Sequence, residues 1–487
     1  MRYNKIYEHT FARYILIVKH LLLYTLVFFT SGFAFGQMQM GASHDNINVT
    51  AGIRLNPALA VDPIPWIDIE AVGLYVFGSS NAAYLAKDEF SALRMKFPGS
   101  MTQNFSKKKV NGQIESVILG PAINISLGKF SVGASTSFRN YISGRGIEKK
   151  FAQGLIYGLQ LPEYYKQTLN GSNYRTKALS FLEFAVNGGI IAYQKEDFIV
   201  NIGAKFKYLL GLGGVNILVD DFSYSMTDST NANVINYTGK YGGSPIGFHP
   251  GTGYGVDFGI TIEKKINSIR YYTPHSTKSN CKHVDYLYRL GFSVLDLGSI
   301  KFNGTYKEVI GANGTWNDYA SIRSSNIENV LDQFDNILQN GITKSSSTYK
   351  AKLPLAFSLQ FDYNFGRGLF INSTLVYGAP LKHSFGGERL SLLAITPRFE
   401  SNNFGFSAPI SINSIGKGGI GLAVRIWNLT IGTDNINSYL INTDVYQLDI
   451  YAHIKVPIFK SPPCRTPKFK KYNWRVRDCN APGSRRK

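Results

Sequence analysis

Beyond its N-terminus the chain has no run of about 20 apolar residues, so none of it reads as a membrane-spanning helix. Mean hydropathy is -0.09, which excludes a helical membrane protein. Histidine is sparse as well: eight are scattered along the chain without metal-site spacing. Serine and histidine occur, but nothing in the sequence gathers a nucleophile, a base and an orienting group. We therefore expect no enzyme and no cofactor. Gly251-Thr252-Gly253-Tyr254-Gly255 has the look of a phosphate loop, yet its glycines alternate inside a strand and no helix follows. A basic stripe along the body of the chain is also missing. Of the formal +20, residues 1–36 carry +3 and residues 460–487 carry +9, and the remaining +8 is spread between them. That distribution excludes a nucleic-acid partner.

What the chain has is alternation. From Phe198 to Tyr208, Phe198, Val200, Ile202, Ala204, Phe206 and Tyr208 point one way, and Asn201, Gly203, Lys205 and Lys207 the other, with Ile199 as the exception. A period of two is a β-strand with one apolar and one wet face. Leu182, Phe184, Val186, Ile190 and Ala192 repeat the pattern upstream, and Gln194-Lys195-Glu196-Asp197 makes the turn between the runs. Copies of this hairpin fill most of the chain, and 30 Tyr, 32 Phe and 48 Gly suit a barrel built from them. About fourteen strands are expected. Short connections fall near 128, 195, 366, 402 and 428. Long ones fall at 79–112, 142–177, 212–251, 309–350, 380–388 and 435–443. Short helices are expected at Leu161–Leu169 and over the helically spaced Ile327–Leu338. Long and short alternate except at the irregular linker 264–285, and loops sorted by side, with the termini together, are the pattern of a transmembrane antiparallel β-barrel in the outer membrane. In hydrocarbon every backbone polar group needs an internal partner, which a closed barrel supplies. A soluble β-sandwich, the alternative, would not sort its loops this way. We expect an all-β monomer whose first partner is outer-membrane lipid.

Three further segments flank the barrel, assigned to 66–459. Arg2, Lys5, Arg13 and Lys19 precede the apolar Leu21–Phe29, and Ala34-Phe35-Gly36 precedes Gln37, so residues 1–36 read as a signal peptide. Residues 37–65 do not alternate and are rich in proline, which denies ladder hydrogen bonds. They read as an N-terminal lumen plug or, more plainly, a periplasmic tail. Residues 460–487 form a basic tail that either docks an acidic periplasmic partner or is solvated and disordered. There are three cysteines, Cys281, Cys464 and Cys479, and export places them in an oxidising compartment. Cys464 and Cys479 are nearest in sequence, and loop closure costs more with length, so these two are expected to pair, leaving Cys281 free. Lys205, Lys207, Asp257, Asp362, Asp449, His453 and Lys455 fall on wet faces and are candidate lumen groups. Ordinary wet-face polarity is the plainer reading of them.

Asn56-Pro57-Ala58 resembles the Asn-Pro-Ala of the plug segment in FadL-type outer-membrane transporters. A longer stretch starts at Leu393-Ala394-Ile395-Thr396-Pro397-Arg398-Phe399-Glu400 and runs through Phe406. With Pro409-Ile410-Ser411, Gly418-Gly419-Ile420-Gly421-Leu422 and Leu429-Thr430-Ile431-Gly432-Thr433-Asp434-Asn435, it resembles the C-terminal hairpins of a Bacteroidota barrel family of the DUF5723 type. That family is related in architecture to FadL and to the PorV barrel of type IX secretion. The resemblance implies binding or passage of small or hydrophobic solutes. Its alternatives are an accessory role in a secretion system or surface attachment, and a structural barrel with partner-binding loops or tail.

Overall fold

Alternation builds the wall. The computed structural model describes residues 39–87, 101–157, 162–228, 231–247, 250–317, 335–440 and 443–464. The signal peptide, most of Ile327–Leu338, Cys479 and the tail from 465 onward lie outside the described residues.

Fourteen antiparallel strands follow one another around the barrel. They are β1 (Ile67–Ser80), β2 (Lys109–Leu127), β3 (Phe130–Glu148), β4 (Thr168–Lys195) and β5 (Phe198–Met226). Then come β6 (Ala232–Ser244 and Gly251–Lys265), β7 (Tyr286–Trp316), β8 (Ile342–Lys352 and Ala356–Gly366), β9 (Leu369–Gly378) and β10 (Leu392–Glu400). The last are β11 (Phe404–Ser407 and Ile410–Asn413), β12 (Gly418–Ile420 and Leu422–Ile426), β13 (Leu429–Thr433) and β14 (Gln447–Ile458). β1 pairs with both β2 and β14, so the sheet closes on itself. The breaks in β6, β8 and β11 fall at Pro245 and Pro250, Pro354 and Pro409, where the ladder loses a donor.

Burial is inverted relative to a soluble protein. Every strand exposes at least one large apolar side chain, among them Val186, Ile202, Phe258, Leu359, Ile395 and Ile431. The opposite faces bury Asn201, Lys205, Lys207, Asp257, Asp362 and Asp449. A closed barrel with a continuous apolar exterior and a polar interior is the outer-membrane solution. Among the described residues no helix is long and apolar enough to cross a membrane.

The long connections need correcting. β3, β4, β5 and β7 run on to Glu148, from Thr168, to Met226 and to Trp316, so much of 142–177, 212–251 and 309–350 is strand. Register shifts at Ser180/Phe181, Val219/Asp221, Ser223/Tyr224 and Val309/Ala312 break the period of two there. Within the Leu161–Leu169 expected to form a short helix, Pro162–Tyr164 makes a 3-10 turn and Thr168 already begins β4; an α-helix lies earlier, at Lys149–Tyr157 (α3 in chain order).

The disulfide is also not the expected one. Cys464 is bonded to Cys281, with Cα atoms 5.5 Å apart across 183 residues of sequence. Closing the barrel brings loop 266–285 and the segment after β14 to the same rim, so the cost of joining them is already met by the fold. The Ser461 hydroxyl donates to the His275 carbonyl at 2.7 Å beside this link.

Candidate functional site in the barrel lumen

Residues 39–64 run inside the barrel, through two short helices, α1 (Met40–Ser43) and α2 (Val49–Ile53), and a 3-10 turn at Pro57–Ala60. Asn56 opens that turn. Its Oδ1 accepts from the Ala58 amide at 3.0 Å, while its Nδ2 lies 3.2 Å from the Ile260 carbonyl and 3.3 Å from Gln360 Oε1. The wall opposite is made of the smallest residues. Ser131, Gly189, Gly203, Gly259, Ser293 and Ser358 stand in register across β3 to β8. A Cβ on Gly203 would lie 2.4 Å from the Pro57 carbonyl group, and one on Gly259 only 2.0 Å from Asn56 Oδ1. Ser293 donates to the Leu55 carbonyl at 2.7 Å. The Asn-Pro-Ala turn therefore rests directly on Gly203 and Gly259, where no side chain intervenes.

Charged groups hold the rest of the segment. The Met40 amide donates to Asp434 Oδ2 at 2.9 Å, the Thr50 amide to Asp68 at 2.8 Å, and Arg54 pairs with Glu70 at 2.7 Å. Asp62, where the segment leaves the lumen, meets Lys265 at 2.7 Å and the Tyr272 hydroxyl at 2.6 Å. Asp434 lies just past β13; burial and the neighbouring Asp449 push its carboxyl well above the usual range.

Above the turn lies a network of buried ion pairs. Arg139 bridges Glu183 and Asp296, each at 2.7 Å. Lys205 meets Glu183 at 2.8 Å, and Lys207 meets Asp257 at 2.7 Å and Asp296 at 2.6 Å. Arg389 joins Asp296 at 2.7 Å. This network and the apolar side chains of Ile53, Leu55, Val117, Leu119 and Leu295 together line a cavity of about 90 Å³, with Arg54, Glu70 and Glu115 also in its wall. Charges buried at this density persist only when paired, as these are. Outside it, the loop between β9 and β10 folds inward and buries Phe385, Glu388 and Leu390.

The expected lumen residues fall into two groups. Lys205, Lys207 and Asp257 meet in the network. His453, Lys455 and Asp449 stand around the inner segment: His453 lies 2.7 Å from Glu70, Lys455 bonds to Thr50, and Asp449 accepts from Thr433 at 2.8 Å. Asp362 pairs with Arg398 at 2.9 Å. Arg139, Glu183, Asp296 and Arg389 did not emerge from the sequence. Glu183 was visible on a wet face. Asp296 sits at a bulge between Val294 and Leu297 with φ +59°, which breaks the alternation, and Arg389 is on a loop. Among the described residues no group of three His, Cys, Asp or Glu side chains is placed to hold a metal.

No curated protein matches the chain. Among solved structures it is similar to the toluene transporter TbuX of Ralstonia pickettii, at 9% identity, with 87% of this chain and 98% of that chain covered and a TM-score of 0.40. It is also similar to a FadL homologue of Pseudomonas aeruginosa, at 9% identity, 88% and 99% covered and a TM-score of 0.39. A third is the toluene transporter TodX of Pseudomonas putida, at 10% identity, 87% and 98% covered and a TM-score of 0.36. Residues 57–434, from the proline of the Asn-Pro-Ala turn to the aspartate that holds Met40, match the Family of unknown function (DUF5723), and the chain belongs to that family.

Proposed function

We propose that this barrel binds and passes small or hydrophobic solutes, with residues 37–65 as its plug. The observation that carries the reading is the lumen cavity with its mixed lining. Leu55, Val117, Leu119 and Leu295 line it together with the paired charges, and the inner segment supplies part of the lining. Such a chamber offers a solute apolar contact and a few fixed polar groups. The segment joins the wall covalently only where it runs into β1; elsewhere polar bonds and apolar packing hold it, so it can shift without unfolding the barrel. The Asn56-Pro57-Ala58 turn and its bed of glycines set its resting position. Deleting residues 40–62 is expected to raise single-channel conductance in planar bilayers several-fold. Unchanged conductance in a variant that still shows heat-modifiable gel mobility would remove the plug from the reading.

A further inference from the structure

The infolded loop 379–391 carries one group out of proportion to its surroundings. Glu388 meets Arg175 at 2.6 Å, Lys177 at 2.8 Å and Arg145 at 3.8 Å. Among the described residues none of these three cations has a second acid within ion-pair distance. Three buried or nearly buried cations thus face a single carboxylate, whereas the network beneath them interleaves Arg139, Lys205, Lys207 and Arg389 with Glu183, Asp257 and Asp296. Burial pushes the Glu388 carboxyl up, but Arg175 and Lys177 outweigh it and hold the group below the usual carboxylate range. The loop that brings Glu388 there is held by the Arg389–Asp296 ion pair, by buried Phe385 and Leu390, and by bonds to its backbone. The Gly386 amide donates to Asn216 at 2.9 Å, the Gly387 amide to the Lys352 carbonyl at 3.0 Å, and Gln113 donates to the Glu388 carbonyl at 3.0 Å. Gly386 has φ +131°, and a Cβ there would lie 2.0 Å from the Lys352 carbonyl oxygen.

We propose that Arg145, Arg175 and Lys177 form a phosphate-binding site on the outer side of the lumen, which Glu388 occupies from within while loop 379–391 closes the barrel from above. Two guanidinium groups and an ammonium suit the several oxygens of a dianionic phosphoryl group better than the lone carboxylate they now hold. An arriving phosphate competes with Glu388, and its binding opens the loop. The inference rests on the reading of the lumen as a solute path, and it names a chemistry for the outer entrance.

The test is titration calorimetry on detergent-folded protein with inorganic phosphate, octyl phosphate and octanol, for the native chain and Glu388→Gln. Removing the internal competitor is expected to tighten phosphate or octyl phosphate binding at least fivefold, and Arg175→Gln in that background to abolish the gain. A gain for inorganic phosphate alone identifies free phosphate as the ligand. A larger gain for octyl phosphate identifies a phosphoryl group on an apolar carrier. A change of less than twofold for both overturns the site. Octanol reports on the solute-path reading separately: if it binds neither protein while the phosphate gain stands, that reading fails and this one survives. If Glu388→Gln lacks heat-modifiable mobility, Glu388→Asp takes its place, with a gain expected in the same direction and its absence again overturning the site.

Discussion

The two halves of strand β5 obey opposite rules. In its membrane half, Asn201, Lys205 and Lys207 face inward and Ile202, Phe206 and Tyr208 face out. In its outer half, Leu218, Phe222, Tyr224 and Met226 face inward while Asp220 and Asp221 are exposed. β4, β6 and β7 change sense in the same way, and their outer inward faces form one apolar cluster with Tyr174, Tyr237 and Val309. A bulge at the seam, where Ser180 pairs with Gly213 and Phe181 with Gly211, resets which residues of β5 point inward, and the medium outside changes with it: lipid around one half, water around the other. A second layer, with Phe181, Leu209, Phe302 and Tyr349, marks the seam. The outer half is therefore packed like an ordinary soluble core set on top of a membrane barrel.

The largest effects should come from crossing the two interior rules. Asp296 is shared by Arg139, Lys207 and Arg389, so Asp296→Ala leaves buried cations short of a partner. Breaking a buried pair costs about 3–5 kcal/mol. Phe222→Ala, in the outer core, removes aromatic packing against Phe151, Tyr224 and Tyr237 and should cost about 3–5 kcal/mol as a cavity. The two losses are alike in size and differ in rescue. Asp296→Glu should recover most of the first, and Phe222→Leu most of the second. Urea titration of folded protein in lipid, followed by gel mobility, measures both. If Asp296→Ala matches the native chain, the network is not holding the wall.

The exterior tests the comparison next. Ile202→Arg places a charge in the apolar belt and is expected to cost about 2–4 kcal/mol if Ile202 lies near the bilayer midplane. Asp221→Arg, on the outer half of the same strand, should stay within about 0.5 kcal/mol. Equal costs at the two positions would mean that the belt does not end where the interior changes sense.

This seam also explains what could be read from sequence. The membrane half was legible because its period of two runs unbroken, as in Leu359, Phe361 and Tyr363 of β8 against Gln360, Asp362 and Asn364. The outer half was not, because its bulges interrupt the period and its polar residues then look like loop. The wet-face glycines were visible singly, but only strand register shows that Gly189, Gly203 and Gly259 form one row, lying under Val61, Pro57 and Asn56. The network was half legible. Lys205, Lys207 and Asp257 sit on regular strands, whereas Asp296 is at a bulge and Arg389 is on a loop that only the fold turns inward. The disulfide was misread because proximity along the chain says nothing about which segments a closed barrel brings to one rim.

The smallest predicted effect separates the inner rim from the outer core by acid. The outer apolar cluster contains no histidine, while the inner rim holds two. His275 Nε2 lies 2.9 Å from the Pro63 carbonyl, and His283 lies 3.6 Å from Asp62, with Lys265, Glu263 and Asp285 also bearing on it. Burial lowers both imidazoles below their ordinary value, more than the nearby acids raise them. A histidine with a depressed folded pKa binds fewer protons folded than unfolded. Stability is therefore intact above about pH 6.5 and is lost as pH falls from there toward the folded values. The contact between loop 266–285 and residues 62–63 should loosen over that window, while the outer half stays closed. Limited trypsin digestion at pH 7.5 and pH 5.5 reads this directly, since Arg270 precedes His275 and Lys282 stands next to His283. Cleavage in 266–285 should speed up several-fold at the lower pH once trypsin's own pH dependence is corrected with a peptide substrate. His283→Gln should flatten the response. Equal rates at both pH values, or faster cleavage of the outer half instead, would show that these histidines do not hold the rim.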